Sequence, residues 1–277
     1  MMKTYLITGA GFLGKQLVGL LGKQDNHKIR VFDNNESALS EVRSATLRTL
    51  YGDIRDYERV LFAMRGVDTC IHTAAMRNID ITEYNLPELI KTNILGTMNM
   101  VQAAMALKIP KFIYVSSDKA VNPSSSYGVT KLMGEEIIKW ASSIQEDVKF
   151  SIVRPGNFIR DFKEVSSGNF IEIWNKQKDK GDKITLTHKD MKRWFIEVDK
   201  ITELILRIEQ EMNGGEIFIP KMEEYRILEL ARQWAGSEDN IKIIGLRKGE
   251  KITEELWTQL ESLDLKEKDD YFVIGNK

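Results

Sequence analysis

Apolar positions in the first 155 residues alternate between two periods. Short runs rich in Val, Ile and Tyr recur at Thr4–Ile7, Ile29–Phe32, Leu47–Tyr51, Thr69–Ile71 and Phe112–Val115. A further run at Phe150–Val153 follows a helical stretch around Lys131 to Trp140. Strand and helix in alternation predict βαβ units and a parallel sheet. Right-handed crossovers wind such units into a three-layer α/β sandwich, doubly wound about the sheet.

After Arg154-Pro155-Gly156 the pattern loosens. The charged stretch 176–183 reads as solvated surface. Ile201 to Met212 predicts a helix closed by Gly214-Gly215, Glu216 to Pro220 a strand, Ile227 to Ala235 a helix, and Ile241 to Ile244 a late strand. The expected division is a dinucleotide-binding part at 1–155 and a smaller cap at 156–277, mainly substrate-binding, with some segments returning to the sheet. Ligands of open α/β sheets sit at the carboxyl ends of the strands, which puts the cleft between sheet and cap.

Charge and cysteine usage narrow the class. Lys+Arg at 40 against Asp+Glu at 41 leaves a net charge of -1, without the basic excess of a general nucleic-acid binder. Cys70 is the only cysteine, so no disulfide forms within the chain, and it reads as a small apolar strand residue. His27, His72 and His188 lack metal-ligand spacing, and no metal is expected. No apolar run reaches the roughly 20 residues of a spanning helix, so the expectation is a cytoplasmic protein without a membrane partner.

Thr8-Gly9-Ala10-Gly11-Phe12-Leu13-Gly14 follows the first strand and opens a helix. Its glycines fit G-x-G-x-x-G: one for a tight turn, one for approach of a pyrophosphate, one for close helix–strand packing. Free N–H groups of Phe12 and Leu13 at the helix start suit phosphate. Asp33 stands 33 − 14 = 19 residues after the third glycine, where a carboxylate accepts from the adenosine ribose. This Rossmann-type arrangement calls for NAD or NADP, and Asp33 favours NAD. Arg30 or Arg55 within reach of a 2′-phosphate would reverse that preference, and a helix N-cap is the other reading of Asp33. Asp53 and Ile54 after the third strand are placed near the adenine. Ala74 and Ala75 after the fourth are small enough for the cofactor to lie on the backbone.

The fifth strand leads into Ser116-Ser117-Asp118-Lys119, and Tyr127-Gly128-Val129-Thr130-Lys131 follows. Tyr127 and Lys131, at i and i+4, share a helix face. A nearby ammonium stabilises phenolate, which would lower the tyrosine pKa and make Tyr127 a base near neutral pH. The Ser117 hydroxyl would hold a substrate hydroxyl in line.

With this set the chain resembles the extended short-chain dehydrogenase/reductase superfamily, although its glycine loop is one residue shorter than T-G-x-x-G-x-x-G. A narrower resemblance covers nearly the whole chain. Ser117-Asp118-Lys119-Ala120-Val121-Asn122-Pro123, continuing to Tyr127-Gly128-Val129-Thr130-Lys131, is similar to the S-T-D-K-A-x-N-P…Y-G-x-(S/T)-K segment of the inverting UDP-N-acetylglucosamine 4,6-dehydratases of the pseudaminic acid route. His72-Thr73-Ala74-Ala75, Lys91-Thr92-Asn93-Ile94-Leu95-Gly96, Asp190 to Phe195, Gly214 to Lys221 and Gly249-Glu250-Lys251 match further family segments. The resemblance implies Lys119 as the base at sugar C5 and Asp118 as the acid for the departing C6 hydroxyl. That needs a neutral Lys and a protonated Asp at some stage, whereas an ordinary ion pair would favour the opposite. A UDP-sugar substrate would be held by Arg193, Arg247, Asn157 and Glu250, with solvated surface charge as the alternative for each. Asn93, behind the site, would serve the cofactor side by positioning water or the Lys131 ammonium. A homo-oligomer, at least a dimer, is implied. Other classes are a nucleotide-sugar 4-epimerase or reductase, which needs no C5 base, and a non-catalytic dinucleotide sensor, which needs no Ser117, Tyr127 or Lys131.

Overall fold

The computed structural model describes residues 2–23, 27–42, 46–160, 164–165 and 170–275. Six strands occupy the expected apolar runs: β1 (Lys3–Thr8), β2 (His27–Asp33), β3 (Leu47–Tyr51), β4 (Thr69–His72), β5 (Lys111–Val115) and β6 (Lys149–Val153). Between them lie α1 (Phe12–Leu21), α2 (Glu36–Ser40), α3 (Tyr57–Met64), α4 (Ile79–Thr82), α5 (Leu86–Ile90), α6 (Thr97–Ala106) and α7 (Ser126–Ile144). A π-helical turn, Lys91–Gly96, runs directly into α6.

The rest of the chain contributes β7 (Asn157–Arg160), β8 (Glu164–Val165), α8 (Phe170–Asp179), β9 (Ile184–Leu186), β10 (Lys192–Glu197) and α9 (Val198–Glu211). It continues through β11 (Ile217–Pro220), β12 (Glu223–Arg226), α10 (Ile227–Ala235), β13 (Ile241–Ile243), β14 (Leu265–Glu267) and β15 (Tyr271–Ile274).

Among the described residues the central sheet has nine strands in the order β14-β15-β11-β6-β5-β4-β1-β2-β3. From β11 to β3 every neighbouring pair is parallel, while β15 runs antiparallel to both β11 and β14. A parallel sheet covered on both faces buries every strand position, and β4 is buried at all four of its residues. Alternate side chains divide between two cores. Leu6, Phe32, Cys70, Phe112 and Phe150 join the cluster that includes Val60 of α3, Met100 of α6 and Ile138 of α7. Ile7, Ile29, Ile71, Ile113 and Val153 join Leu17 of α1 and Ile205 of α9.

A third cluster, with Ile171, Trp174, Leu186, Phe195 and Leu230, forms the cap core. It supports a four-stranded sheet, β12-β10-β7-β8, and the pair β13-β9. The helix α8 runs into the charged stretch 176–183, which is mostly exposed, and buries only Ile171 and Trp174. The Trp174 indole donates to the Thr185 carbonyl at 2.8 Å, fixing this otherwise polar helix to β9. Segments after residue 156 therefore belong to two places: the cap sheets, and α9, β11, β14 and β15 on the central sheet.

Candidate active site

The glycine loop lies at the carboxyl end of β1, and its geometry explains Gly9 and Gly14. Gly9 has φ +93, and a Cβ there would stand 2.7 Å from Thr73 Oγ1. A Cβ on Gly14 would stand 1.9 Å from the Gly9 carbonyl oxygen, so α1 packs on the turn only with glycine there. A Cβ on Gly11 would meet nothing within 4 Å. Gly11 is the N-cap of α1 and supplies no side-chain acceptor to the first helical N–H groups, including those of Phe12 and Leu13. An open cradle of uncommitted N–H donors fits the pyrophosphate of a dinucleotide.

Asp33, at the end of β2, accepts the Ala10 N–H at 2.6 Å through Oδ2 and the Asn35 N–H at 2.7 Å through Oδ1. It ties the glycine loop to the second strand. The N-cap of α2 is Asn35, whose side chain accepts from Ala38 N, so the capping role falls to Asn35. An ionised carboxylate has about four acceptor positions, which leaves Asp33 capacity for ribose hydroxyls. Both arginines considered for a 2′-phosphate have partners within the protein. Arg30 donates to the carbonyls of Ala63 and Arg65, while Arg55 pairs with Asp53 and Glu88, each at 2.6 Å. Asp53 also accepts from Asn34 at 3.1 Å. Ile54 is buried, packed where a Cβ on Gly96 would go. Ala74 and Ala75 are half-buried beside the loop.

Asn93 departs from expectation. Its side chain donates to Met76 O and accepts from Met76 N, each at 2.8 Å, and donates to Thr130 Oγ1 at 3.1 Å. It clamps the stretch after β4 to α7 rather than touching the Lys131 ammonium. The π-helical turn carrying it has no sequence signature.

The five residues singled out around β5 do converge. Ser117 caps a 3-10 turn, Asp118–Ala120, and Ser125 caps α7. A Cβ on Gly128 would lie 2.3 Å from the Lys119 carbonyl oxygen, so glycine there allows α7 to press Tyr127 against the turn. Ser117 Oγ donates to Asp118 Oδ1 at 2.9 Å, and Lys119 Nζ donates to the same oxygen at 3.1 Å. Asp118 is fully buried.

Protonation differs from expectation at two points. Burial raises the Tyr127 pKa above its ordinary value; the Lys119 and Arg77 charges and a hydrogen bond with Ser117 only partly offset it. Lys131, expected to do the lowering, donates to Val115 O at 2.7 Å and lies 4.1 Å from the Tyr114 ring centroid. Its own pKa falls to about 7 through burial, opposed by Glu135. Lys119 moves the other way. Burial pulls it down, but Asp118 and Glu254 outweigh that, and it stays above the ordinary lysine value. Asp118 and Lys119 thus form an ion pair in this state, the opposite of the neutral pair that elimination requires.

The expected substrate residues are placed differently from one another. Arg193, buried on β10, donates to the carbonyls of Lys192, Lys251 and Ile252 at 2.7, 2.8 and 3.1 Å. It fastens the segment after Gly249 to the cap, which accounts for its burial without a phosphate. Glu250 Oε2 accepts the Arg247 N–H at 3.1 Å and closes the turn at 247–250. Asn157 donates to Trp194 O at 3.0 Å. The segment from Gly249 to Leu256 then straps the site. Ser124 Oγ donates to Gly249 O at 2.8 Å, Lys251 Nζ to Val121 O at 2.6 Å, and the Trp194 indole to Glu254 O at 2.9 Å. Sequence patterns missed Arg77, Lys251 and Glu254. Lys251 stood inside a matched motif, but Glu254 had no signal beyond lying three residues beyond it.

Residues 5–276 match the polysaccharide biosynthesis protein family, and the chain belongs to it. An uncharacterized membrane protein of Methanocaldococcus jannaschii is 39% identical over 99% of this chain and 88% of its own. The UDP-N-acetylglucosamine 4,6-dehydratase (inverting) of Campylobacter jejuni is 36% identical over 99% of this chain and 83% of its own. The solved structure of Pen from Bacillus thuringiensis superimposes with a TM-score of 0.89 at 35% identity, covering 99% of this chain and 88% of that one. UDP-glucose 4-epimerases also match, one from Rickettsia bellii at 31% identity over 98% of this chain and 82% of its own. The dTDP-glucose 4,6-dehydratase of Streptomyces venezuelae, solved with NAD and TYD bound, has a TM-score of 0.82 at 21% identity over 91% of this chain and 88% of its own, which establishes the Rossmann-type fold. Among the described residues, no helix is long and apolar enough to cross a membrane.

Proposed function

We propose that this protein is a nucleotide-sugar 4,6-dehydratase that acts on UDP-N-acetylglucosamine and inverts C5. The observation that carries this is the Asp118–Lys119 pair at the carboxyl end of β5, beside Ser117 and Tyr127. Similarity to the Campylobacter jejuni enzyme supports the substrate class. The cradle at Gly9, Gly11 and Gly14 would hold a nicotinamide dinucleotide, with Asp33 at its ribose and NAD preferred over NADP. The dinucleotide supplies reversible hydride acceptance.

Tyr127 Oη, as phenolate, takes the C4 hydroxyl proton and becomes a neutral phenol; the Lys119 and Arg77 charges and the Ser117 hydrogen bond favour the phenolate it starts from. Ser117 Oγ orients that hydroxyl. Once C4 is a ketone, the C5 proton is acidic. Lys119 Nζ takes it while Asp118 gives a proton to O6, and the C6–O bond breaks to release water. Lys119 ends as ammonium and Asp118 as carboxylate, which is the pair the structure holds. The hydride returns from the dinucleotide to C6, solvent supplies the proton at C5, Tyr127 releases its proton to solvent, and one proton passed across the 3.1 Å Nζ–Oδ1 contact restores neutral Lys119 and protonated Asp118. The ion pair is in this reading the resting form of the acid–base couple. Asn157, Arg247 and Glu250 remain proposed contacts of the UDP portion, with Arg193 acting through the strap it anchors.

The test is incubation with UDP-N-acetylglucosamine in deuterated water, followed by proton NMR. A C6 methyl signal with deuterium at C5, and no net consumption of cofactor, is the expected result. A C4 epimer without deuterium at C5 would instead support the epimerase reading that the Rickettsia relatives favour.

A further inference from the structure

Arg154 directly follows β6 and is 1% exposed. A guanidinium keeps its charge inside a protein, so each buried N–H needs an acceptor. All five have one. Nε and Nη2 donate to the two oxygens of Glu135 at 3.0 and 2.6 Å. Nη2 and Nη1 donate to the two oxygens of Glu261 at 2.7 and 3.1 Å, and Nη1 also donates to Leu256 O at 3.0 Å. The proposed proton transfers use none of these three side chains.

The acceptors belong to different parts of the site. Glu135 is fully buried on α7, one turn beyond Lys131. Leu256 ends the strap, and Glu261 follows it, with Oε2 also accepting the Thr258 N–H at 2.8 Å. The main chain around Arg154 reaches a third part. Val153 O accepts the Ser116 N–H at 2.7 Å, and Pro155 O accepts the Asp118 N–H at 2.8 Å. Arg154 thus sits between the two residues that hold the turn carrying Ser117 and Asp118. That turn meets α7 closely at Gly128. A helix touched at one place can pivot there. The Glu135 clamp adds a second fixed point roughly 10 Å farther along the helix, with Lys131 between the two and Tyr127 beside the first.

We propose that Arg154 is a positioning residue that sets the Ser117–Asp118 turn against the Tyr127–Lys131 helix, and that through Glu261 it latches the strap over the site. Its catalytic consequence rests on the dehydratase reading above. The two arms act on different quantities. The Glu135 arm aligns the groups that meet the reacting atoms, and so governs kcat. The Glu261 arm holds a segment that lies over the site, and so governs KM.

Variants of the full chain, loaded with dinucleotide, separate the arms. Glu135→Gln keeps the side-chain shape and should lower kcat by about tenfold or more, with KM at the wild-type value. Glu261→Gln should raise KM several-fold and leave kcat unchanged. Arg154→Lys, a flexible ammonium in place of a planar fork, should do both. Glu136→Gln, exposed on α7 and paired with Lys139, is the control and should match wild type. Rates are counted per bound dinucleotide, so loss of folded protein does not enter. Hydrogen exchange of the same proteins, followed by mass spectrometry, needs no sugar. Glu261→Gln should speed exchange in the strap peptide 249–256 and spare the turn 116–121, while Arg154→Lys should speed both. Wild-type kcat in Glu135→Gln overturns the proposal, as does wild-type strap exchange in Glu261→Gln. A fall in Tm alone, with kcat and KM unchanged, would reduce Arg154 to a stabilising group and overturns it too. Where the two buried variants fail to fold, Glu261→Gln, whose side chain is 17% exposed, decides through KM and exchange. Failure of the dehydratase reading shows separately, as a wild-type protein that forms no C6 methyl product, and hydrogen exchange then carries the test.

Discussion

The Lys131 ammonium sits 4.1 Å from the centroid of the Tyr114 ring, buried, with its proton donated to the Val115 carbonyl. One carbonyl and a ring face hold a charge that burial disfavours more than Glu135 favours it, and its pKa falls to about 7 from the ordinary 10.5. The unfolded chain therefore binds the extra proton between those values. Stability lost to this ammonium is fully lost below about pH 7 and is recovered as pH rises to about 10.5. Lys131→Met should abolish turnover and raise Tm at pH 6, by roughly 2–4 °C per kcal/mol gained. The gain should shrink toward pH 10. Differential scanning calorimetry at pH 6, 8 and 10 checks this; a pH-independent difference would contradict the buried charge.

Tyr127→Phe removes the hydroxyl proposed to take the C4 proton and leaves the glycine cradle intact. Turnover should fall by about 10² to 10⁴. Dinucleotide affinity, measured by isothermal titration calorimetry, should stay within about twofold, a difference of roughly 0.4 kcal/mol. Near-normal turnover would take Tyr127 out of the reaction.

Asp118→Asn should separate two events that wild type couples. Lys119 still removes the C5 proton, so deuterium wash-in continues, while release of the C6 hydroxyl loses its acid and methyl formation drops by about 10² or more. If wash-in and methyl formation fall together, Asp118 is not the leaving-group acid.

His72 is clamped between Thr8 Oγ1 at 2.7 Å and Thr97 Oγ1 at 3.1 Å, and burial, then Lys131, lowers its pKa to about 3. Its folded pKa lies below the ordinary 6.5, so its contribution is complete above about pH 6.5 and is lost as pH falls toward 3. His72→Gln should cost about 1–3 kcal/mol at pH 7. It should also flatten the decline of urea-unfolding stability between pH 6.5 and 4. An unchanged slope would place the acid sensitivity elsewhere.

The parallel half of the fold was legible because buried strands need uninterrupted apolar runs, and β1 to β6 stand where those runs stand. The placement of the proposed catalytic residues was legible because Tyr127 and Lys131, at i and i+4, share a helix face after a hydroxyl-bearing strand end. Other features had no local pattern. α8 buries two side chains in a charged helix, and the π-helical turn at Asn93 depends on its fit against Thr130. Arg193 shows the limit for charged groups. A guanidinium that grips backbone carbonyls has the same letter as one that grips phosphate, and only the folded chain distinguishes them.

The strand order carries a consequence for synthesis. β6 pairs on its outer side with β11, and β11 with β15, so the middle of the sheet waits on residues made much later. A ribosome that has released Val153 has exposed a strand whose next neighbour begins at Ile217 and whose outer cover ends at Ile274. Throughout that interval the nascent chain presents an open apolar edge, the kind of surface that recruits chaperones or misassembles with another chain. A stop codon just before Tyr271 would thus do more than shorten a tail, since it would remove β15 and leave the outer edge of β11 permanently uncovered.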